Sequence, residues 1–195
     1  MRESKTLGIL LRKTLLGNDD ALLEFFTKDL GRVTLGVRKF GRSKKRMAEI
    51  DFFRLLEIEI FEGRNNKSLK DATCTQVFHG FEKNWRINKL GFEWLARLRE
   101  ILPEEKTAPN LFRMTHELFA GVKAEDADWL DLYFRVKILS YQGALPSSSK
   151  SEEEEILSFL EQNDFQTFEK NKSHLPAAEI PRIQKVLEKM EEVLY

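Results

Sequence analysis

The hydrophobic pattern of this chain changes its period once, at about Phe78. Up to that point, short apolar runs alternate with polar residues between turn residues, which is typical of strands with one buried face. Beyond it, apolar residues recur every three or four positions, as they do on a helix that packs against a core. The predicted fold class is therefore α+β, with a β domain at residues 1–78 and a helical domain at residues 79–195.

The N-terminal part contains five strand-like segments with no helix between them. The clearest of them alternates Leu56, Ile58 and Ile60 with glutamates. Because a free sheet of such short strands would expose two edges, the pattern predicts a small closed or partly closed barrel. The segments are residues 6–13, 21–27, 32–37, 52–62 and 68–78.

The C-terminal part is predicted to contain five helices. The first, at residues 81–102, carries an apolar face with Trp85 and Phe92 and is expected to be buried. A serine-rich run after this domain's third helix predicts a linker-like break near residues 146–151. The other helices are expected to begin near Pro109, Asp126, Ser151 and Pro181, where proline or capping residues favour a helix N-terminus.

A basic stretch follows the third strand-like segment. No acidic residue lies between Arg32 and Ala48, and a Gly41-Arg42-Ser43 turn predicts a flexible loop. Such a loop is either an ordinary solvated surface or a phosphate track, and a phenylalanine within it favours the second because a base can stack on the ring. The predicted nucleic-acid-binding residues are Arg38, Lys39, Phe40, Arg42, Lys44, Lys45 and Arg46, and Arg12, Lys13 and Arg32 are expected to extend the track.

The charge is distributed unevenly along the chain. The formal net charge is zero, yet residues 1–46 contain 12 Lys or Arg and 5 Asp or Glu. Residues 147–195 contain 6 Lys or Arg and 11 Asp or Glu. Because the distribution of charge decides which partners are attracted, the neutral total does not exclude a polyanionic partner for the basic end.

Signals for catalysis, metal binding and membrane insertion are missing from the sequence. The three histidines lie in different segments, Cys74 is the single cysteine, and no nucleotide-binding, zinc-protease or nucleophile motif occurs. Cys74 and His79 lie close in the sequence, but a lone cysteine of this kind is usually a small buried hydrophobe. The prediction is a non-enzymatic cytoplasmic protein with no cofactor, no metal and no membrane partner.

Three segments resemble a known family. Residues 26–33 (FTKDLGRV), the basic residues 38–46 and the segment 133–146 (YFRVKILSYQGALP) occur in the order found in the bacterial recombination mediator RecO family. The resemblance implies an N-terminal OB-fold barrel. Many members of the family carry a four-cysteine zinc module after the last of these segments, but no cysteine follows Pro146 here, and a basic tail is also lacking. The resemblance therefore implies a form without zinc.

The same resemblance implies a function and partners. A RecO-like protein binds single- and double-stranded DNA, anneals complementary strands, contacts single-strand-binding protein through its helical part, and helps RecR to load RecA. It is expected in the bacterial cytoplasm, at the nucleoid. Two alternatives stay open on the residues alone: an OB-fold protein that binds RNA, and an interaction adaptor that binds no nucleic acid.

Overall fold

The structure is a computed structural model that describes residues 2–64, 66–145 and 152–194. The predicted break near residues 146–151 lies outside the described residues. Five strands come first, and helices follow. The strands are β1 (Arg2–Leu15), β2 (Ala21–Thr27), β3 (Gly31–Val37), β4 (Arg54–Glu62) and β5 (Lys67–Val77).

The five strands close into a barrel in the order β1-β2-β3-β5-β4. All neighbours are antiparallel except β3 and β5, which meet in parallel at the single pair Gly36 and Ser68. A five-stranded barrel with this sparse contact is a partly open OB fold. The predicted barrel and its five strands are confirmed.

Strand β1 is longer than the predicted residues 6–13 because it serves two neighbours. Its first half pairs with β4, and its second half pairs with β2 across an irregularity between Leu10 and Arg12. Gly8 and Ile9 have partners on both sides. The polar residues 2–5 join the strand because β4 supplies hydrogen-bond partners for them, which no local pattern indicates.

The barrel strands bury both of their faces in several places. In β3, Val33, Leu35 and Val37 point into the barrel, where they pack with side chains such as Phe25. On the outer side of β1 and β2, Ile9, Leu11 and Phe26 pack against the helices. The Phe26 ring meets Phe112 edge to face, with centroids 5.2 Å apart. The helical part therefore covers one side of the barrel.

The helices differ from prediction at their ends and by two short helices that were not predicted, at Lys44–Glu49 and Phe165–Asn171. The segment between β3 and β4 contains a short helix, α1, and the first long helix begins at Trp85 because Phe81 lies in a preceding 3₁₀ turn. Asp126 makes no capping hydrogen bond, and its carboxylate instead accepts one from Lys172. The helices are α1 (Lys44–Glu49), α2 (Trp85–Ile101), α3 (Pro109–Gly121), α4 (Ala127–Gln142), α5 (Glu152–Gln162), α6 (Phe165–Asn171) and α7 (Ile180–Glu192).

Helices α2, α3 and α4 meet around an aromatic centre. The Trp94 ring stacks on Phe134 with centroids 5.1 Å apart, and Phe119 packs beside Trp94 with centroids 6.2 Å apart. The expectation that Trp85 belongs to the buried face of α2 is wrong, since 77% of its surface is exposed at the start of the helix. Because apolar side chains of barrel and helices form one cluster, the division into domains at Phe78 stays a prediction.

Candidate nucleic-acid interface

The basic segment, residues 38–46, is more ordered than the predicted loop. After β3, Lys39 adopts a left-handed conformation with φ of 52°, and Phe40–Arg42 form a 3₁₀ turn. The Ser43 hydroxyl then accepts a hydrogen bond of 3.2 Å from the Arg46 amide and caps α1. The cations are therefore carried on two short helical turns at one end of the barrel.

Phe40 is buried, so the prediction that its ring stacks on a base is wrong. Its exposed fraction is 0%, and it packs with Ile50 inside the barrel. Along β3, the side chains of the odd-numbered residues up to Val37 point into the barrel. Continued alternation would direct Phe40 outward, but the left-handed conformation of Lys39 interrupts the alternation, and Phe40 points inward. The Lys13 ammonium lies 5.7 Å from the ring centroid, which gives a cation–π contact.

The cations of the basic segment are not equally available to a ligand. Arg42 is bound to Asp19 at 2.8 Å, while the Lys45 ammonium lies 3.9 Å from Glu49. Arg46 is half-buried. Within the basic segment, the exposed cations that have no ion pair among the described residues are Arg38, Lys39 and Lys44.

The other predicted track residues are held by carboxylates. Lys13 lies 3.1 Å from Asp51. Arg12 and Arg32 both approach Glu24, at 3.7 and 3.8 Å, and the Glu24 carboxylate also accepts a 2.7 Å hydrogen bond from Arg99 of α2. With only 14% of its side chain exposed, Glu24 draws these arginines to the junction of barrel and helices. The basic track is consequently shorter than predicted.

A groove lies on the barrel beside the basic segment, with a volume of about 860 Å³. It runs along β3 between the β1–β2 loop and the β4–β5 loop, which is the face that OB folds use for oligonucleotides. Arg38 reaches it from the basic segment, and Arg64 and Lys67 reach it from the β4–β5 hairpin. Sequence reasoning missed the last two because they are isolated cations in a glutamate-rich hairpin, and only the fold brings them beside β3.

Acidic side chains enter the same groove from the α2–α3 loop, residues 102–108. The Glu105 amide donates a 3.0 Å hydrogen bond to the Arg32 carbonyl, which attaches the loop to β3. Glu105 itself has a positive φ of 57°, an uncommon conformation for its residue type. The loop lies so close to Gly31, at φ of 71°, that a Cβ there would stand 2.0 Å from the Lys106 carbonyl oxygen.

The two loop carboxylates neutralise cations of the groove. Glu105 binds the Lys67 ammonium at 2.5 Å, and Glu104 approaches the Arg32 guanidinium at 3.8 Å. The hydrogen bond to Glu105 raises the pKa of Lys67 above its usual value, with burial acting in the opposite direction. Both cations thus have carboxylate partners, and a phosphate that enters the groove has to replace a carboxylate.

The described residues provide no candidate metal centre. Their histidine, cysteine and acidic side chains form no cluster of three or more that could hold a metal ion. The Cys74 thiol points to the Gln76 carbonyl, and His79 pairs with Glu82. None of the helices in the described ranges combines the length and the apolar character required to cross a bilayer.

Comparison with known proteins agrees with this geometry. A family model described as the N-terminal part of recombination protein O matches residues 1–78, which form the barrel. The barrel is similar to the N-terminal domain of the RecO family. The resemblance seen in the three sequence segments is thereby confirmed.

Several relatives of this chain are named DNA repair protein RecO. The protein from Desulfosudis oleivorans is 28% identical over 71% of this chain and 56% of its own length. That from Alkaliphilus metalliredigens is 24% identical over 73% and 59%, and that from Caldanaerobacter subterraneus is 24% identical over 82% and 67%. The chain thus spans a little over half the length of the first two relatives.

Proposed function

We propose that this chain acts in DNA repair and recombination as a DNA-binding mediator without enzymatic activity. The observation that carries the proposal is the position of the basic segment, at the rim of the groove that OB folds use for oligonucleotides. The names of the relatives support a role in DNA repair.

The proposed activity is strand binding and annealing. Phosphate contacts by lysine and arginine supply affinity without sequence preference, so both single- and double-stranded DNA are expected to bind. Screening of the phosphate charge also lets two complementary strands approach each other. On the family resemblance we include RecR and single-strand-binding protein as partners, RecA as an indirect one, and the bacterial nucleoid as the place of action.

Replacement of the exposed, unpaired cations tests the proposed binding site. In the triple variant Arg38→Ala/Lys39→Ala/Lys44→Ala, affinity for single-stranded DNA should fall whatever its sequence. The slope of log affinity against log salt should become shallower by about 0.7 for each phosphate that is no longer neutralised, or about 2 in all. Fluorescence anisotropy of a labelled oligonucleotide at several salt concentrations measures both quantities.

The matched control removes three exposed lysines from the helical part: Lys170→Ala, Lys185→Ala and Lys189→Ala. This control changes the net charge by the same amount as the basic-segment variant. Its affinity for DNA and its salt slope should stay near those of the wild type. Equal behaviour of the two triple variants would refute the site. A large preference for RNA over DNA of the same sequence, measured by direct competition, would favour the RNA-binding alternative.

The mediator role needs a separate experiment. Complementary oligonucleotides coated with single-strand-binding protein should anneal faster when the wild-type chain is added, and the basic-segment variant should accelerate the reaction less. If the chain binds DNA but does not accelerate annealing, the proposed DNA binding stands and the proposed annealing activity is excluded.

A further inference from the structure

The burial of Phe40 leaves the basic segment without an exposed aromatic ring. Single-strand-binding surfaces usually combine phosphate contacts with rings on which bases stack. The largest exposed ring in the described part of the chain belongs to Trp85, at the start of α2. The geometry points to the outer side of α2 as a second contact for single-stranded nucleic acid, with a base stacked on Trp85. This inference rests on the proposed function.

The outer side of α2 is connected to the basic segment by contacts. Trp85, Lys89 and Phe92 follow each other at intervals of four and three residues, so they lie on the same side of the helix. Phe92 is 42% exposed, and its ring centroid lies 5.0 Å from that of Phe52. The Phe52 centroid in turn lies 5.7 Å from the Lys13 ammonium.

Lys13 completes the connection. Its ammonium is also 5.7 Å from the ring of Phe40, which belongs to the basic segment. These contacts place Lys13 and Phe52 between the basic segment and α2, so the two surfaces lie near each other. Phe92 and Trp85 would then be the first exposed aromatic rings that a strand bound to the basic segment meets.

Cations accompany the ring of Trp85. Lys83 and Lys89 are exposed, as is Arg86. Arg86 is bound to Asp128, and Lys89 lies 3.5 Å from Glu93. These pairs are exposed on both sides and contribute little stability, so a phosphate can replace their carboxylates at small cost.

The fold does not depend on the Trp85 side chain. The side of α2 that faces the core is formed by Ile87, Gly91 and Trp94, and the helix is capped by Asn84, whose side chain accepts a hydrogen bond from the Arg86 amide. A ring that contributes so little to packing is available for contact with a ligand. Stacking on a base would bury the Trp85 ring, which the packing of the chain itself leaves exposed.

The fluorescence of tryptophan provides a direct test. The chain has three tryptophans, and Trp94 and Trp129 are 2% and 9% exposed, so only Trp85 can meet a ligand. Addition of oligothymidylate should quench the emission of the wild type. The variant Trp85→Leu should lose this quenching and bind about 5- to 150-fold more weakly, the range expected for one stacked base.

The variant Trp85→Phe is the matched control, because it keeps a ring for stacking but removes the exposed fluorophore. It should retain most of the affinity and lose the quenching. Equal affinity of the wild type and Trp85→Leu would overturn the inference. So would quenching by an acidic peptide of the same length but not by oligothymidylate, because that result would assign the surface to a protein partner.

The outcomes separate this inference from the proposed function. Salt-dependent binding of oligothymidylate without quenching would refute the contact on α2 and leave the site at the basic segment intact. Absence of any binding at low salt would refute both. Thermal unfolding followed by circular dichroism should give similar midpoints for the three proteins, since the changed side chain is exposed.

Discussion

Glu24 holds three arginines at the place where barrel and helices meet. Its carboxylate faces Arg12 of β1, Arg32 of β3 and Arg99 of α2. The Nε atom of Arg32 is buried and has no hydrogen-bond partner of its own in the described structure. The negative charge of Glu24 therefore compensates partly buried positive charge from three elements at once.

The variant Glu24→Gln should lower the free energy of unfolding by about 1–3 kcal/mol, because it leaves these guanidinium groups without their shared carboxylate. Urea unfolding followed by circular dichroism measures the change. Glu57→Gln is a suitable comparison, since Glu57 lies 2.8 Å from Lys5 but is 42% exposed. Its effect should be small. Equal effects of the two replacements would contradict the assigned role of Glu24.

Phe40 shows at the same scale where sequence reasoning failed. Alternation correctly predicted that Val33, Leu35 and Val37 point inward. It could not predict the left-handed conformation of Lys39, which depends on tertiary contacts such as the 2.8 Å hydrogen bond from its amide to Asp20. Asp20 lies in another loop, so the residues near Phe40 contain no signal of this change in phase.

Among the elements, the α2–α3 loop has the most direct influence on the groove. Glu104 and Glu105 lie about seventy residues beyond β3 in the sequence, and no local pattern predicts that they reach Arg32 and Lys67. Their position follows from the attachment of the loop backbone to β3, which the absence of a side chain at Gly31 permits.

The double variant Glu104→Gln/Glu105→Gln should bind single-stranded DNA more tightly than the wild type, because, among the described residues, Arg32 keeps only Glu24 and Lys67 keeps only Glu62 as a carboxylate that competes with phosphate. The salt slope should steepen by about 0.7 for each additional phosphate that is neutralised, up to about 1.4. Anisotropy titrations measure both effects. Glu125→Gln/Glu155→Gln changes the net charge equally at exposed positions in the helical part and should have little effect. Indistinguishable slopes would show that the loop carboxylates do not compete with DNA.

The contact between β5 and α3 contains a histidine whose protonation is disfavoured by folding. The His116 ring nitrogen Nε2 lies 3.0 Å from the Gln76 side-chain oxygen. Burial lowers the pKa of His116 below its ordinary value of 6.5, with the charge of Glu117 acting in the opposite direction. The folded protein therefore binds this proton less readily than the unfolded chain does.

Since the folded-state pKa of His116 is the lower one, its contribution to stability is fully present above pH 6.5 and is lost as the pH falls through the folded pKa. The free energy of unfolding of the wild type should decrease between pH 7.5 and pH 5. In His116→Gln the decrease should be smaller. His174→Gln, at an exposed position, should behave like the wild type. An unchanged pH dependence in His116→Gln would exclude this histidine as the cause.

At the scale of the whole molecule, periodicity was sufficient to predict the five strands and the five long helices, but not the short helices α1 and α6. The change of period near Phe78 predicted five strands followed by helices, and Pro109 and Pro181 marked two helix starts within one residue. The candidate site was only partly predictable. A dense run of cations is visible in the sequence, but their pairing with carboxylates and the contribution of Arg64 and Lys67 depend on contacts between distant segments.

The double pairing of β1 has a consequence for the order in which the protein can be made. One side of β1 is satisfied by β2, which follows directly in the chain, but the other side pairs with residues 55–62 of β4. During synthesis, one edge of the first half of β1 therefore stays unpaired until about residue 62 has left the ribosome. Exposed edges of this kind attract other strands. The newborn barrel should be most prone to aggregation in that interval.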